Sequence, residues 1–260
     1  MANTNLAGQK GISGYTIKMI AVISMLIDHT AATILERMLT TGDATAFPIV
    51  SGNWDLFYDI YMRMREIGRF AFPIYCYMLV EGFYHTRSVP KYALRLFVFA
   101  LISEVPFDLA IQHTLVDMKY NSNVFFTLLL GLLVIALMRL VEERLKERLP
   151  AGVRWLLAAL IVAAGALAAE YVFSSDYGAS GVLAIVILYL FYQHRLLGFA
   201  LAVLELVILS SVVEITAFLM LFPMAYYNGT RGRQTKYFFY AVYPVHLLIL
   251  EGICLCLGLG

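Results

Sequence analysis

The segment IKMIAVISMLIDHTAATIL, residues 17–35, decides the fold class of this chain. It is apolar and close to the length of about 20 residues that a helix needs to cross a bilayer. It nevertheless contains Asp28 and His29. A charge near the centre of a membrane helix costs about 2.5–3.5 kcal/mol, so such residues usually face a protein interior or a water-filled cavity. The segment therefore predicts a membrane helix that carries a functional pair.

The composition assigns the whole chain to the α-helical membrane proteins. Of its 260 residues, 61% are hydrophobic and only 14% are charged, whereas a soluble domain carries about 25% charged residues. The mean hydropathy is +0.78. The expected partner is therefore the lipid bilayer, and a formal net charge of +1 gives no reason to expect nucleic acid.

The apolar segments predict an all-α fold, a polytopic bundle of about nine transmembrane helices. The two weakest spans share one stretch, residues 196–227, which is interrupted only by SSVVE at 210–214. That stretch is too long for one comfortable helix and short for two. The predicted spans cover residues 17–36, 67–84, 91–112, 122–141, 153–173, 179–193, 196–210, 213–227 and 237–258.

The placement of positive charge favours nine spans over eight. With a cytoplasmic N-terminus, nine spans leave only five of the 19 Lys and Arg residues on the outer side. Merging the seventh and eighth spans would move Arg231, Arg233 and Lys236 outside and weaken this bias. The positive-inside rule therefore predicts an outer C-terminus.

One integral membrane domain is predicted for residues 1–260. Residues 1–16 form a polar cytoplasmic segment, and residues 37–66 form the one sizeable outer loop. Trp54 and Tyr58 in this loop indicate either an interfacial helix or a lid over the substrate, although amphipathic aromatic residues are common at membrane surfaces.

The polar residues inside the predicted spans cluster in depth. Most lie toward the outer ends, which predicts an outward-facing polar chamber. Arg69 with Glu104 or Asp108 is equally well explained as a buried ion pair that fixes helix packing. Beside Asp28 and His29, the polar residues near the outer ends are Arg69, Glu104, Asp108, Asn123, Thr127, Asp176, Tyr177 and Glu214.

Two other site classes receive little support from the sequence. Cys76, Cys254 and Cys256 lie in apolar segments without metal-ligand spacing, so no metal is expected. The motif GASG at 178–181 together with His246 resembles the arrangement of an intramembrane serine protease, with Ser180 as nucleophile. Small residues at a helix start are common in membrane bundles, so this signal is weak.

At these residues the chain resembles the TraX family. The resemblance covers nearly the whole length, and so many ordered segments make it specific. It implies N-terminal acetylation of conjugative pilin at the bacterial cytoplasmic membrane, and kinship with acyltransferases that use cytosolic acetyl-CoA. The matching segments are KMIAVISMLIDHT, IGRFAFPIYCYMLVEGFYHTRSVPKYALRLFVFALISEVPFDLA, NVFFTLLLG, DYGASGVL and YNGTRGRQTKYFFYAVYPVHLLIL.

Acyl transfer assigns roles to the clustered residues. Moving acetyl from a thioester to an amine or hydroxyl needs a base that titrates near neutrality, and His29 is the candidate; it is alternatively the nucleophile itself. Adjacent helical residues point about 100° apart, so Glu104 or Asp108 is a better candidate than Asp28 for orienting His29. Asp28 is then free to bind Arg69.

The remaining predicted roles concern the thioester and the nucleotide. Candidate donors to the thioester oxygen are Arg69, Asn123 and Tyr177, next to Asp176. The loop NGTRGR at 228–233 offers backbone amides and two guanidiniums for the anionic nucleotide of acetyl-CoA, or these cations simply anchor the cytoplasmic face. The predicted cofactor-binding residues are Asn228, Arg231, Arg233, Lys91, Arg95, Lys236, His246 and Tyr243, the last two lining a passage for the pantetheine arm.

Two functions of different class therefore remain open. The first is a membrane-bound acetyltransferase that acts on a pilin N-terminus or an envelope glycan. The second is a proton-coupled transporter, because intramembrane Asp, Glu and His also form proton relays. No internal repeat of the kind common in secondary transporters is visible in the sequence.

Overall fold

The computed structural model describes residues 11–40, 47–114, 122–233 and 235–259, with the side chain of Lys236 outside this description. All regular segments in these ranges are helical, which confirms the all-α prediction; two isolated β-bridges join loops. The helices are α1 Gly14–Thr30, α2 Glu36–Thr40, α3 Pro48–Ser51, α4 Trp54–Gly68, α5 Ala71–His85, α6 Val89–Phe107, α7 Val124–Leu145, α8 Ala151–Leu167, α9 Gly178–Leu190, α10 Arg195–Leu209, α11 Leu221–Ala225 and α12 Lys236–Cys256.

Short π- and 3₁₀-helical segments extend several of these helices. The π turns Ala31–Leu35, Asp108–Gln112 and Ala168–Val172 follow α1, α6 and α8, and 3₁₀ turns Tyr192–His194 and Val212–Met220 precede α10 and α11. Pro106 lies inside α6, two residues before a π turn. A proline removes one backbone donor, and a π turn is one way for a helix to absorb the disruption.

Each of the nine predicted spans coincides with a helical segment. Among the described residues, five helices are long and apolar enough to cross a membrane: Gly14–Thr40, Val124–Leu145, Ala151–Val172, Tyr192–Leu209 and Tyr237–Cys256. Two shorter apolar helices cover Gly178–Leu190 and Val212–Ala225. The predicted interruption between the seventh and eighth spans falls where α10 ends at Leu209. The count of nine spans and the direction of the termini stay predictions.

Internal packing divides the described chain into two compact units. The first contains described residues up to Ile74, those from Val105 to Thr114 and those from Thr216 onward. The second contains Tyr75–Glu104 and the described residues from Ser122 to Ile215. The first unit holds α1, α4 and α12, and the second holds most of α6 and α7 to α10.

A buried cation holds the first unit together. Arg37 is 6% exposed and forms an ion pair with Glu251 of α12 at 2.6 Å. Its guanidinium also donates to the carbonyl oxygens of Leu109 and Ala110, at 3.0 and 3.1 Å. These carbonyls belong to a π turn, where the ordinary helical hydrogen-bond ladder is altered. A fourth bond, to the carbonyl of Leu259 at 3.1 Å, attaches the end of the chain.

Glycines allow close helix packing in the second unit. A Cβ on Gly131 of α7 would lie 2.2 Å from Ile185 of α9, and one on Gly165 of α8 would lie 2.2 Å from Val134 of α7. Small residues at such crossings are typical of membrane bundles. The helix α8 has no buried residue, which fits a helix whose apolar surface faces lipid.

Candidate active site

The first unit brings together two histidines that are 217 positions apart. The Nδ1 atom of His29 in α1 lies 2.6 Å from the Nε2 atom of His246 in α12. The rings are stacked, with centroids 4.9 Å apart and an interplanar angle of 9°. Tyr243 packs edge-on against both rings, each centroid distance being 5.7 Å. Tyr243 and His246, the two residues predicted to line the pantetheine passage, thus lie against His29; the passage itself stays a prediction.

The two imidazoles differ in accessibility and in their second partner. His246 is only 6% exposed, whereas His29 is partly exposed. The Nδ1 atom of His246 lies 2.7 Å from the carbonyl oxygen of Val242, one turn earlier in α12. His29 is thus the more exposed member of the pair.

Backbone irregularity follows His29 directly. The π turn Ala31–Leu35 begins two residues later, and the Thr33 hydroxyl donates to the carbonyl oxygen of His29 at 2.6 Å. π turns inside helices are frequent at functional sites. This π turn is not evidence of function by itself, but it adjoins His29, the residue for which chemistry is predicted.

Asp28 binds two arginines at the end of α4. Its Oδ1 accepts a hydrogen bond from Arg69 at 2.8 Å, and its Oδ2 accepts one from Arg65 at 2.9 Å. The predicted pairing of Asp28 with Arg69 is confirmed. Asp28, Arg65 and Arg69 thus form one ion-pair cluster next to His29.

We expect Asp28→Asn to destabilise the protein by about 3 kcal/mol. Removing one partner of a buried ion pair costs about 3–5 kcal/mol, and the 28% exposure of the Arg65 side chain puts this variant at the lower end. Thermal unfolding in detergent measures the change. The variant Asp28→Asn combined with Arg65→Gln removes one charge of each sign and is expected to recover part of the loss; an unchanged wild-type melting temperature in Asp28→Asn would contradict the arrangement.

A glycine makes room for this cluster. A Cβ built on Gly68 would lie 2.2 Å from Oδ1 of Asp28, closer than any real side chain tolerates. We expect Gly68→Ala to displace the carboxylate and lower stability by about 1–3 kcal/mol, as overpacking does. Gly152→Ala is the matched control, because no atom lies within 4 Å of its Cβ position. Melting temperatures of the two variants measure the difference. Equal values would show that the Asp28 carboxylate can move aside without loss of stability.

The second part of the predicted outer loop, residues 54–66, belongs to the helix α4. Tyr61 of this helix donates to Glu36 at 3.2 Å. Burial and the neighbouring Glu36 carboxylate raise the pKa of Tyr61, so the hydroxyl stays a donor at neutral pH. Trp54 and Tyr58 stack on one another with centroids 4.9 Å apart and stay largely exposed. The helix thus carries Arg65 and Arg69 at the site and exposed aromatic residues at its other end.

The predicted phosphate loop, residues 228–233, is tied to the start of α1. The amide of Gly14 donates to the carbonyl of Thr230 at 2.7 Å, and the amide of Tyr15 donates to that of Arg231 at 3.1 Å. Asn228 accepts from the amide and hydroxyl of Thr230, so its side chain shapes the loop. Gly229 and Gly232 adopt φ values of 73° and 66°, where a side chain would be strained.

This loop presents its cations outward. The side chains of Arg231 and Arg233 are exposed, because the carbonyl oxygens of the loop are the atoms that face α1. The amides of Gly14 and Tyr15 donate to these carbonyls, so the exposed guanidiniums of Arg231 and Arg233 are the candidate anion ligands among the described side chains of the loop. The side chain of Lys236, predicted for the same role, lies outside the described residues.

Within the second unit, Glu104 and Asn123 form hydrogen bonds at the N-terminal end of α7. Asn123 is fully buried and caps α7 by accepting from the amide of Phe125 at 3.0 Å. Its side-chain amide donates to Glu104 and to the carbonyl of Ala100 at 2.8 Å. The Nδ1 atom of His29 contacts His246, and the orienting role predicted for Glu104 or Asp108 stays a prediction. Asp108 is buried and begins a π turn in the first unit.

The remaining predicted residues lie in the second unit. Asp176 is exposed and its amide donates to Ser122, while Tyr177 precedes α9. Lys91 is exposed, and the guanidinium of Arg95 lies 5.5 Å from the ring centroid of Tyr92. These positions neither extend nor exclude their predicted roles.

The serine protease alternative has no geometric support. The Ser180 hydroxyl donates to the carbonyl of Tyr177 at 2.8 Å. Both ring nitrogens of His246 are engaged with His29 and Val242. Each side chain therefore has its own hydrogen-bond partners within its unit, whereas a nucleophile–base pair requires a direct hydrogen bond between the two.

Two contacts of this site were not predicted from the sequence: that of Arg65 with Asp28 and that of His246 with His29. Arg65 was placed with the outer loop, although its i,i+4 spacing to Arg69 put both on one helix face. The pairing of His246 with His29 had no local signal, because the two residues lie in the first and last long helices. Within the ranges that the structure describes, no three His, Cys, Asp or Glu side chains converge as a metal site.

Known proteins match this chain along nearly its full length. The family model described as "TraX protein" matches residues 13–254. The chain is 29% identical over 265 residues to the "Probable fimbrial assembly protein FimC, serogroup H1" of Dichelobacter nodosus, covering 92% of this chain and 94% of that protein. No solved structure matches significantly.

Proposed function

Since this chain belongs to the TraX family, we propose that it is a membrane-bound acetyltransferase. It passes an acetyl group from cytosolic acetyl-CoA to an amine or hydroxyl at the outer face of the bacterial cytoplasmic membrane. The observation that carries this proposal is the partly exposed His29, held by His246 and adjoining an ion-pair cluster in an otherwise apolar helix.

The histidine supplies the proton transfers of the reaction. As a general base, Nε2 of His29 takes a proton from the acceptor while its nitrogen or oxygen attacks the thioester carbonyl. The new bond to the acetyl carbon forms, the C–S bond breaks, and the CoA thiolate takes the proton back from the imidazolium. An acetyl-imidazole intermediate uses the same nitrogen in two steps.

The arginines beside His29 suit the charge that develops in this reaction. Attack on the thioester concentrates negative charge on its oxygen. Arg65 and Arg69 both bind Asp28, next to His29. Their guanidinium groups are donors that can stabilise an oxyanion formed beside the imidazole.

The exposed guanidiniums of Arg231 and Arg233 fit the phosphates of acetyl-CoA. Arginine binds phosphate through paired hydrogen bonds, and the fixed loop holds both side chains at the start of α1. His29 lies about 22 Å further along this helix, at 1.5 Å per residue. The extended arm of acetyl-CoA has to cover this distance to bring its thioester to the imidazole.

A pilus subunit is the acceptor that we favour over an envelope glycan. The relative from Dichelobacter nodosus is named a probable fimbrial assembly protein and matches over nearly its whole length. A pilin N-terminus is a primary amine, whose deprotonation is the step that a general base assists.

Mass spectrometry of the cell envelope tests this function. Cells with and without the protein are compared for a species that loses one acetyl group. We expect such a species in the deletion strain, and its restoration by the wild-type chain. In parallel, the detergent-solubilised protein should release CoA from acetyl-CoA when envelope membranes from the deletion strain are added. No acetylated species and no CoA release together would overturn the proposal.

A proton-coupled transporter is the second candidate. The hydrogen-bonded chain from His29 through His246 to Val242 resembles an element of a proton relay. Such a transporter would move solute into vesicles in response to a pH gradient and consume no acetyl-CoA. Gradient-driven uptake without CoA release would decide for it.

A further inference from the structure

We infer that His246 is a positioning residue that fixes the tautomer of His29 and leaves Nε2 of His29 as a bare base. The inference rests on the proposed function for its catalytic meaning, but its structural part stands on hydrogen bonds alone. Those bonds form one chain from Val242 through His246 to His29.

The hydrogen-bonded chain begins at the carbonyl oxygen of Val242, which can act only as an acceptor. A backbone carbonyl oxygen only accepts hydrogen bonds. The contact of 2.7 Å between Nδ1 of His246 and the carbonyl of Val242 therefore requires a proton on that Nδ1. In the neutral imidazole, one nitrogen is a donor and the other an acceptor, so Nε2 of His246 is bare.

The same logic passes to the second ring. A bare Nε2 on His246 accepts its hydrogen bond from Nδ1 of His29, at 2.6 Å. That nitrogen then carries the proton of the neutral ring, and Nε2 of His29 has a free lone pair. Which nitrogen of a histidine is protonated is set by the bond that the other makes. Here the backbone carbonyl of Val242 in α12 determines which nitrogen is protonated, first in His246 and then in His29.

Burial distinguishes the role of each histidine. His246 is 6% exposed and both of its nitrogens are occupied. His29 is partly exposed and, in this arrangement, has its reactive nitrogen turned away from its partner. Tyr243 packs against both rings and restricts their rotation. His246 thus acts through His29 and touches no reacting atom.

Two conservative variants separate positioning from packing. In His246→Gln, the side-chain oxygen reaches the place of Nε2 and accepts from His29, so the tautomer is kept. In His246→Asn, the amide keeps the bond to Val242 but ends short of His29. The rate of CoA release from acetyl-CoA is measured for the full-length protein in detergent, with deletion-strain membranes as acceptor. We expect His246→Asn to lose at least about 10-fold in kcat with little change in KM for acetyl-CoA, and His246→Gln to lose much less.

The tautomers themselves are read by ¹⁵N NMR of the histidine-labelled chain. With five histidines in the sequence, single variants assign the signals. We expect Nδ1–H tautomers for both His29 and His246, and loss of the fixed pattern at His29 in His246→Asn. An Nε2–H tautomer at His29, or equal kcat values for the Asn and Gln variants, would overturn the inference. Expected tautomers in a protein that transfers no acetyl group would instead refute only the proposed function.

Discussion

His29→Asn is expected to lower the abundance of the acetylated envelope species to the level seen without the protein. The asparagine amide lies where Nδ1 lies in histidine, so it still donates to Nε2 of His246. The variant lacks Nε2, the nitrogen proposed to act as the base, together with the ring carbon Cε1. General base catalysis by a positioned side chain contributes about 10²–10⁴-fold to rate, and CoA release should fall within that range.

The design separates chemistry from folding. His29→Asn should keep the wild-type melting temperature, because the bond between α1 and α12 is preserved. His194→Asn is the matched control: its imidazole is exposed and caps no backbone group by hydrogen bonding, so both rate and stability should stay unchanged. Full acetyl transfer by His29→Asn would remove His29 from the site.

Arg37→Met is expected to destabilise the protein by about 3–5 kcal/mol. The variant leaves the Glu251 carboxylate buried without its ion-pair partner, and a charge stranded in this way costs about that much. It also removes the donor to the carbonyls of Leu109, Ala110 and Leu259. Unfolding by heat or denaturant in detergent measures the loss.

Two further variants identify the cause of this loss. Arg37→Met combined with Glu251→Gln removes both charges and should recover part of the stability, since the stranded carboxylate is gone. Arg63→Met breaks a comparable ion pair whose arginine side chain is 77% exposed, and should cost less than about 1 kcal/mol. If Arg37→Met were as mild as Arg63→Met, the buried cluster would not hold the unit together.

The sequence predicted those features of the site that depend on local composition. The apolar segments mark the helices, and a break was expected where α10 ends. Asp28 and His29 stand out because a carboxylate and an imidazole are costly in an apolar segment. Adjacent helical residues point about 100° apart, which predicted that Asp28 does not bind His29 and binds Arg69 instead. The ion pair between Asp28 and Arg69 confirms the second part of this prediction.

The partners that come from distant segments could not be predicted in this way. Glu104 seemed a reasonable partner for His29 because it lies in a neighbouring span at a similar depth. In the structure it binds Asn123 and serves the cap of α7. Similarity of depth does not determine which helix faces which, because packing depends on the rotation and crossing of whole helices.

Departures from regular helix geometry add to this difficulty. The π turn Ala31–Leu35 lies between His29 and Arg37. A turn of this kind shifts every following side chain around the helix axis, so the 3.6-residue period no longer tells which face Arg37 occupies. From its position alone, Arg37 was one more cation on the outer side, and in the structure it is buried against Glu251.

The sequence by itself determined that this is a helical membrane-type chain of the TraX family, and it identified His29 as the main candidate for a catalytic residue. These conclusions need only hydrophobicity, charge and ordered motifs, which are properties of the chain read in order. Only the tertiary structure decided that His246 holds His29 and that Arg65 joins Arg69 on Asp28. The reason is physical: the tautomer and charge of a site depend on hydrogen bonds between residues that only folding brings within 3 Å.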